Sequence, residues 1–86
     1  MILTVLLLST LLNAPMVTAA EPAPLQAARS QFDSGNYTVA VGMLMAATQQ
    51  NPKDASLHYW LARSYYEIRD YEKAIKFAET VVQLDP

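Results

Sequence analysis

The chain of 86 residues has no cysteine, only two glycines, one histidine and one tryptophan. Without cysteine there is neither a disulfide framework nor a thiolate metal site. The glycines, Gly35 and Gly42, stand apart in the sequence, so there is no phosphate-cradling loop and no dinucleotide fingerprint. His58 follows Asp54 by four residues, a spacing that orients an imidazole on a helix. No nucleophile and no third orienting group complete a catalytic set, and His58 reads as a packing or helix-surface residue. One histidine with scattered carboxylates also falls short of a metal site. A net charge of −2 with no run of Lys or Arg argues against a nucleic-acid surface. The expectation is a protein that is not an enzyme and takes no cofactor or metal.

Charge is missing from a whole segment as well. The six basic and eight acidic side chains all lie at or after Glu21, leaving residues 1–20 uncharged. Within that segment Ile2–Leu12 is an apolar run, followed by Asn13, Pro15 and the small residues Ala19 and Ala20. A bilayer span needs about 20 apolar residues. This run is close to half that length and matches the hydrophobic region of a secretory signal peptide, with cleavage after Ala19 or Ala20. The segment lacks the basic residues usual before such a run; an uncleaved leader is the alternative, and the only expected link to a membrane. Residues 21–24, Glu-Pro-Ala-Pro, read as a short extended spacer, because each proline disfavours helix in the residue before it.

What remains is a repeat. Sliding the chain by 34 positions lays residues 25–52 over 59–86 without a gap. Identities fall at Ala28/Ala62, Arg29/Arg63, Ser30/Ser64, Tyr37/Tyr71, Ala40/Ala74, Gln49/Gln83 and Pro52/Pro86. Similar pairs lie between them, among them Phe32/Tyr66, Asp33/Glu67 and Val41/Ile75. Two units follow, 25–52 and 53–86, each an αα-hairpin. Helices are expected at 25–34, 37–50, 55–68 and from 71 or 72 to 84. Asp54 and Asp70 are placed to accept from free first-turn N–H groups, and Gly35-Asn36 and Arg69-Asp70 form the turns.

The second unit resembles the tetratricopeptide repeat, whose 34-residue signature is W-x2-L-G-x2-Y, A-x3-F and a closing P. Here the matching residues are His58, Leu61, Ala62, Tyr65, Ala74, Ala78 and Pro86. His58, Ala62 and Ala78 depart from the signature, although Trp60 and Phe77 stand close by. The resemblance extends over residues 25–86 and implies an all-α fold of stacked antiparallel hairpins, four helices in a right-handed solenoid behind the apolar leader. It also implies that the first helix of each hairpin lines a concave surface where protein segments dock.

That implication bears on particular residues. On the third helix Leu57, Leu61, Ser64, Tyr65 and Ile68 share one stripe, expected to be buried. Tyr59, Arg63, Tyr66 and Glu67 lie roughly opposite. The first helix repeats this second set as Leu25, Arg29, Phe32 and Asp33, and these eight residues are the candidate partner-binding groove. Three readings stay open for them: a groove for a protein or peptide; aromatics packed between repeats; and an inert face whose Arg29–Asp33 and Arg63–Glu67 are i,i+4 ion pairs worth about 0.2–0.5 kcal/mol each.

The last helix is apolar over about half its circumference through Ala74, Ile75, Phe77, Ala78, Val81, Val82 and Leu84. One neighbouring helix cannot cover so broad a stripe. Since about three repeats are needed for a stable solenoid, the chain reads as the N-terminal piece of a longer protein. If it is complete, a homodimer through Ile75, Phe77, Val81, Val82 and Leu84 is expected. The functional expectation is an exported scaffold, periplasmic or secreted and plausibly bacterial, that binds a protein segment. A self-assembly module, or an accessory domain of a larger exported enzyme, is the alternative.

Overall fold

The computed structural model describes residues 22–86; the leader at 1–20 lies outside the described residues. Among the described residues there are four helices: α1 (Ala23–Asp33), α2 (Tyr37–Gln50), α3 (Ala55–Ile68) and α4 (Tyr71–Leu84). None is long and apolar enough to cross a membrane. Each packs chiefly on its chain neighbour, and α3 also touches α1. The fold is therefore two hairpins in series, the second laid against the first through α3.

Local chemistry sets the helix ends. The two hairpin turns share one set of bonds, displaced by 34 residues. Gly35 N–H donates to Phe32 O and Asn36 N–H to Gln31 O, at 2.9 and 2.8 Å. Arg69 N–H donates to Tyr66 O and Asp70 N–H to Tyr65 O, both at 2.9 Å. This closure requires a left-handed residue after the helix, which satisfies carbonyls that the ended helix leaves open. Gly35 adopts it at φ 83° without a Cβ in the way, whereas Arg69 adopts it at φ 70° and bears the steric cost. At the N-termini the two acidic caps form as expected. The Asp54 side chain accepts from Ser56 N–H at 3.0 Å, and that of Asp70 from Lys73 N–H at 3.3 Å.

The expected spacer is a correction. α1 starts at Ala23, with Pro24 in its first turn, and the Pro22 carbonyl accepts from both Leu25 and Gln26 N–H at 3.1 Å. Proline suits a first turn because its missing N–H would have had no partner there. Ala23, the residue before Pro24, is already helical, so the restriction that proline places on its predecessor does not delay the helix here, while Pro22 ahead of it is extended with ψ 145°.

The core is small and sits where the hairpins meet. Leu25, Ala28, Leu44, Ala47, Leu57 and Leu61 form one buried cluster, with Val41, Met43, Trp60, Tyr65 and Phe77 packed around it. Ala28 and Ala40 are almost wholly enclosed, and their short side chains let the helix axes approach. Ser64 is fully buried in α3, where its hydroxyl donates to the Trp60 carbonyl at 2.8 Å and needs no other partner. Of the stripe expected to be buried on α3, Leu57, Leu61 and Ser64 are buried and Tyr65 is half-buried, but Ile68 is exposed. It lies in the last turn of α3.

Among the described residues Arg69 is the one non-glycine with a left-handed backbone, and it gives a direct test. Arg69→Gly is expected to raise the unfolding free energy by about 1 kcal/mol, and Gly35→Ala to lower it by a similar amount. Urea unfolding of both variants against the parent chain measures it.

Candidate functional site

The eight residues expected to line a groove separate into four environments. Leu25, 4% exposed, belongs to the core and presents nothing to a partner, because α3 lies over it. Phe32 is half-buried between the hairpins, edge-on to Tyr37 at 5.0 Å and to Trp60 at 5.3 Å. Arg29 and Asp33 border a shallow polar depression with Gln26, Ser30 and Ser34 on the outer side of α1. Only the α3 set, Tyr59, Arg63, Tyr66 and Glu67, lies together along an apolar groove.

That groove has a volume of about 660 Å³ and runs between α3 and α4, with Ala62, Tyr71, Ile75 and Ala78 among its walls. Its floor is low because Ala62, Ala74 and Ala78 have no bulk beyond Cβ. Its rim is tall because Tyr59, Tyr66 and Tyr71 are exposed, and Tyr66 packs edge-on against Tyr71 at 5.5 Å. Tyrosine gives rigid apolar contact with a polar tip at small entropic cost. Tyr71, the neighbour that completes this aromatic wall, was not among the expected binding residues; its identity with Tyr37 was the available signal.

The second residue that sequence reasoning passed over is Trp60. Its indole takes the Arg63 guanidinium at 4.5 Å and that of Arg29 at 4.9 Å, and meets Phe32 and Tyr59 edge-on. Arg63 also lies over the Phe32 ring at 4.9 Å. The two arginines that the repeat duplicates are thus joined through one indole, a cation–π arrangement worth about 0.5–2 kcal/mol per contact. The Arg63–Glu67 ion pair allowed by the spacing is not formed among the described residues, because Arg63 turns toward the rings. Lys73 does form an ion pair, with Asp70 at 3.7 Å, while also lying over the Tyr65 ring.

His58 lies on the other side of α3. It is buried, and its Nε2–H donates to the Pro52 carbonyl at 2.8 Å, tying α3 to the linker between hairpins. Its ring leans on Phe77, which stacks flat on Tyr65 at 5.6 Å. Phe77 is therefore committed to the α3–α4 interface and corrects the expected assembly surface. Val81 and Leu84 are half-buried, whereas Ile75 (59% exposed) and Val82 (66%) remain open. The described residues gather no cluster of three metal-ligating side chains.

Two αα-hairpins related by a constant sequence offset, each joined to the next through an apolar helix face, define a helical-repeat protein. The repeat is a specific one. Residues 25–86 match the family model of the tetratricopeptide repeat, and the chain belongs to that family. Its repeats generally mediate protein–protein interaction.

The division between packed and open aromatics is measurable. Trp60→Ala is expected to cost about 3 kcal/mol, since it empties a site between the hairpins. Tyr66→Ala, on the exposed rim, should change stability by no more than about 0.5 kcal/mol. Chemical denaturation followed by helicity checks both.

Proposed function

We propose that the chain is an exported, non-catalytic scaffold that binds a protein segment along the groove between α3 and α4. One observation carries the reading: Tyr59 and Tyr66 are 48% and 60% exposed above an alanine floor, although large aromatic side chains are costly to leave in water. Contiguous apolar surface of this kind marks an interaction site, and rigid tyrosines beside an arginine are the residue types that dominate protein interfaces. The proposed surface is narrower than the eight-residue set: Tyr59, Arg63, Tyr66 and Glu67 from α3, extended by Tyr71 and Ile75 from α4.

Export rests on the leader. An apolar run of half a membrane span, ending in small residues ahead of the first charged side chain, is the pattern that signal peptidase reads. A periplasmic or secreted setting follows from it. A second reading, self-association through α4, is favoured by the exposure of Ile75 and Val82.

The test places a photoreactive phenylalanine at Tyr66, or in a control at Val39 on the outer face of α2, and irradiates cells of the source organism. Adducts to a different protein from position 66, absent from position 39, are expected. Adducts only to further copies of the chain would favour self-association, and equal labelling from both positions would overturn the groove. The N-terminus of the same purified product is expected at Ala20 or Glu21; an N-terminus that retains Ile2–Leu12 would overturn cleavage.

A further inference from the structure

We infer that Phe32, Tyr59 and Trp60 form an aromatic box for a small quaternary ammonium cation, and that Arg63 is the resident which such a cation displaces. The box lies between α1 and α3, so it does not depend on the reading of the α3–α4 groove.

Three rings make the box. Phe32 stands edge-on to the Trp60 indole at 5.3 Å and 80°, and Tyr59 does so at 5.7 Å and 86°. The indole is thus a floor with two walls set nearly at right angles to it. One cation already occupies the corner. The Arg63 guanidinium lies 4.5 Å from the Trp60 centroid, 4.9 Å from that of Phe32 and 5.7 Å from that of Tyr59. All three distances fall within the roughly 6 Å over which a ring attracts a positive charge. Trp60 and Phe32 are half-buried, which strengthens that attraction, while Tyr59 and Arg63 are exposed and leave a mouth to solvent. Neither hairpin makes the box alone, since Phe32 belongs to α1 and the other two rings to α3.

The chemistry of the box selects its ligand. A guanidinium carries N–H donors all round its plane, and among the described residues Arg63 makes no hydrogen bond or ion pair. The rings attract its charge but give its donors no acceptor. A quaternary ammonium brings the same charge and no donor to satisfy, so it gives up less on leaving water. A primary ammonium suffers from its donors as Arg63 does. A neutral molecule of the same shape offers the rings no charge.

Arg63 also has a second place to go. Glu67 is exposed one turn further along α3, at the i,i+4 spacing of a helix ion pair. With the box filled by another cation, Arg63 swings to that carboxylate, which supplies the acceptor that the rings lack. The local charge permits the exchange. Arg29 rests on the same indole at 4.9 Å, with Asp33 one turn beyond it, so two arginines stand against two acids. An added cation meets no excess of positive charge.

Trp60 is the only tryptophan of the chain, and its emission reports on the box. The purified full chain is titrated with choline at constant ionic strength. Ammonium serves as the charged control, and the uncharged tert-butyl analogue of choline as the shape control. A saturable change in Trp60 emission is expected with choline, and affinity for both controls about tenfold lower or less. Arg63→Ala, or Arg63→Gln should the alanine variant lose helicity, vacates the box and should tighten choline binding about tenfold. Glu67→Gln removes the receiving carboxylate and should weaken binding only about threefold, because an acid placed after its base is the weaker order on a helix. The quaternary head is either a free solute or part of a lipid, and vesicles separate the two. A response to choline with none to phosphatidylcholine vesicles assigns the solute; a response to the vesicles at lower headgroup concentration assigns the lipid. Equal affinity for choline and its tert-butyl analogue would overturn the recognition of charge. The box is overturned by the absence of a saturable response in both the parent chain and the Arg63 variant, and equally by an affinity that the Arg63 variant lowers or leaves unchanged.

Discussion

α3 has two apolar sides, and the rest of the structure depends on both being covered. A lone αα-hairpin has too little interior to exclude water from its apolar stripe. Here Leu57 and Leu61 turn to the first hairpin, where they meet Leu25, Ala28 and Leu44. His58 and Tyr65 turn to Phe77 on α4. Take α3 away and the first hairpin loses its lid while α4 loses its support. Ser64 and Ala62 belong to the same constraint. A helix wedged among three others needs small residues where axes approach, and a buried hydroxyl needs the carbonyl of its own helix.

Around that wedge the polar groups are arranged so that few are wasted. The caps at Asp54 and Asp70 answer the free N–H groups of α3 and α4, and left-handed closures at Gly35 and Arg69 answer the carbonyls of α1 and α3. His58 reaches the Pro52 carbonyl, so the linker between hairpins has a fixed path into α3. Arg29 and Arg63 share the Trp60 indole, joining α1 to α3 where the buried core thins toward solvent. The arginines thus hold hairpins together as well as bordering a surface, and what stays open is the tyrosine-lined part of α3 and the facing part of α4.

The two units differ in how far their equivalent surfaces are closed among the described residues. Equivalent surfaces follow from equivalent sequence, but among the described residues a helix lies over the first and none over the second. The first unit converts its apolar surface into stability. The second keeps the corresponding surface available, with larger aromatics at the rim and alanine in the floor. The open surface therefore resembles an interior more than an exterior.

Length, the offset of 34 residues and the cap and turn residues determined the architecture without any coordinates: four helices, their order, their ends to within two residues and their pairing as hairpins. Those features are local or periodic, and a linear pattern records them directly. The start of α1 escaped because Pro22 and Pro24 have opposite meanings, one before the helix and one inside its first turn. Tertiary structure alone decided the fate of duplicated residues. Leu25 and Tyr59, or Phe32 and Tyr66, hold the same place in the repeat and lie on the same helix face, so no wheel or spacing distinguishes them. They differ because α3 covers the first of each pair and nothing among the described residues covers the second; burial is a property of the neighbour as much as of the residue. Trp60 belongs to the same class. Its position in sequence marks it as a helix residue near a signature site, and only the crossing of α3 over α1 makes it the plate between two arginines.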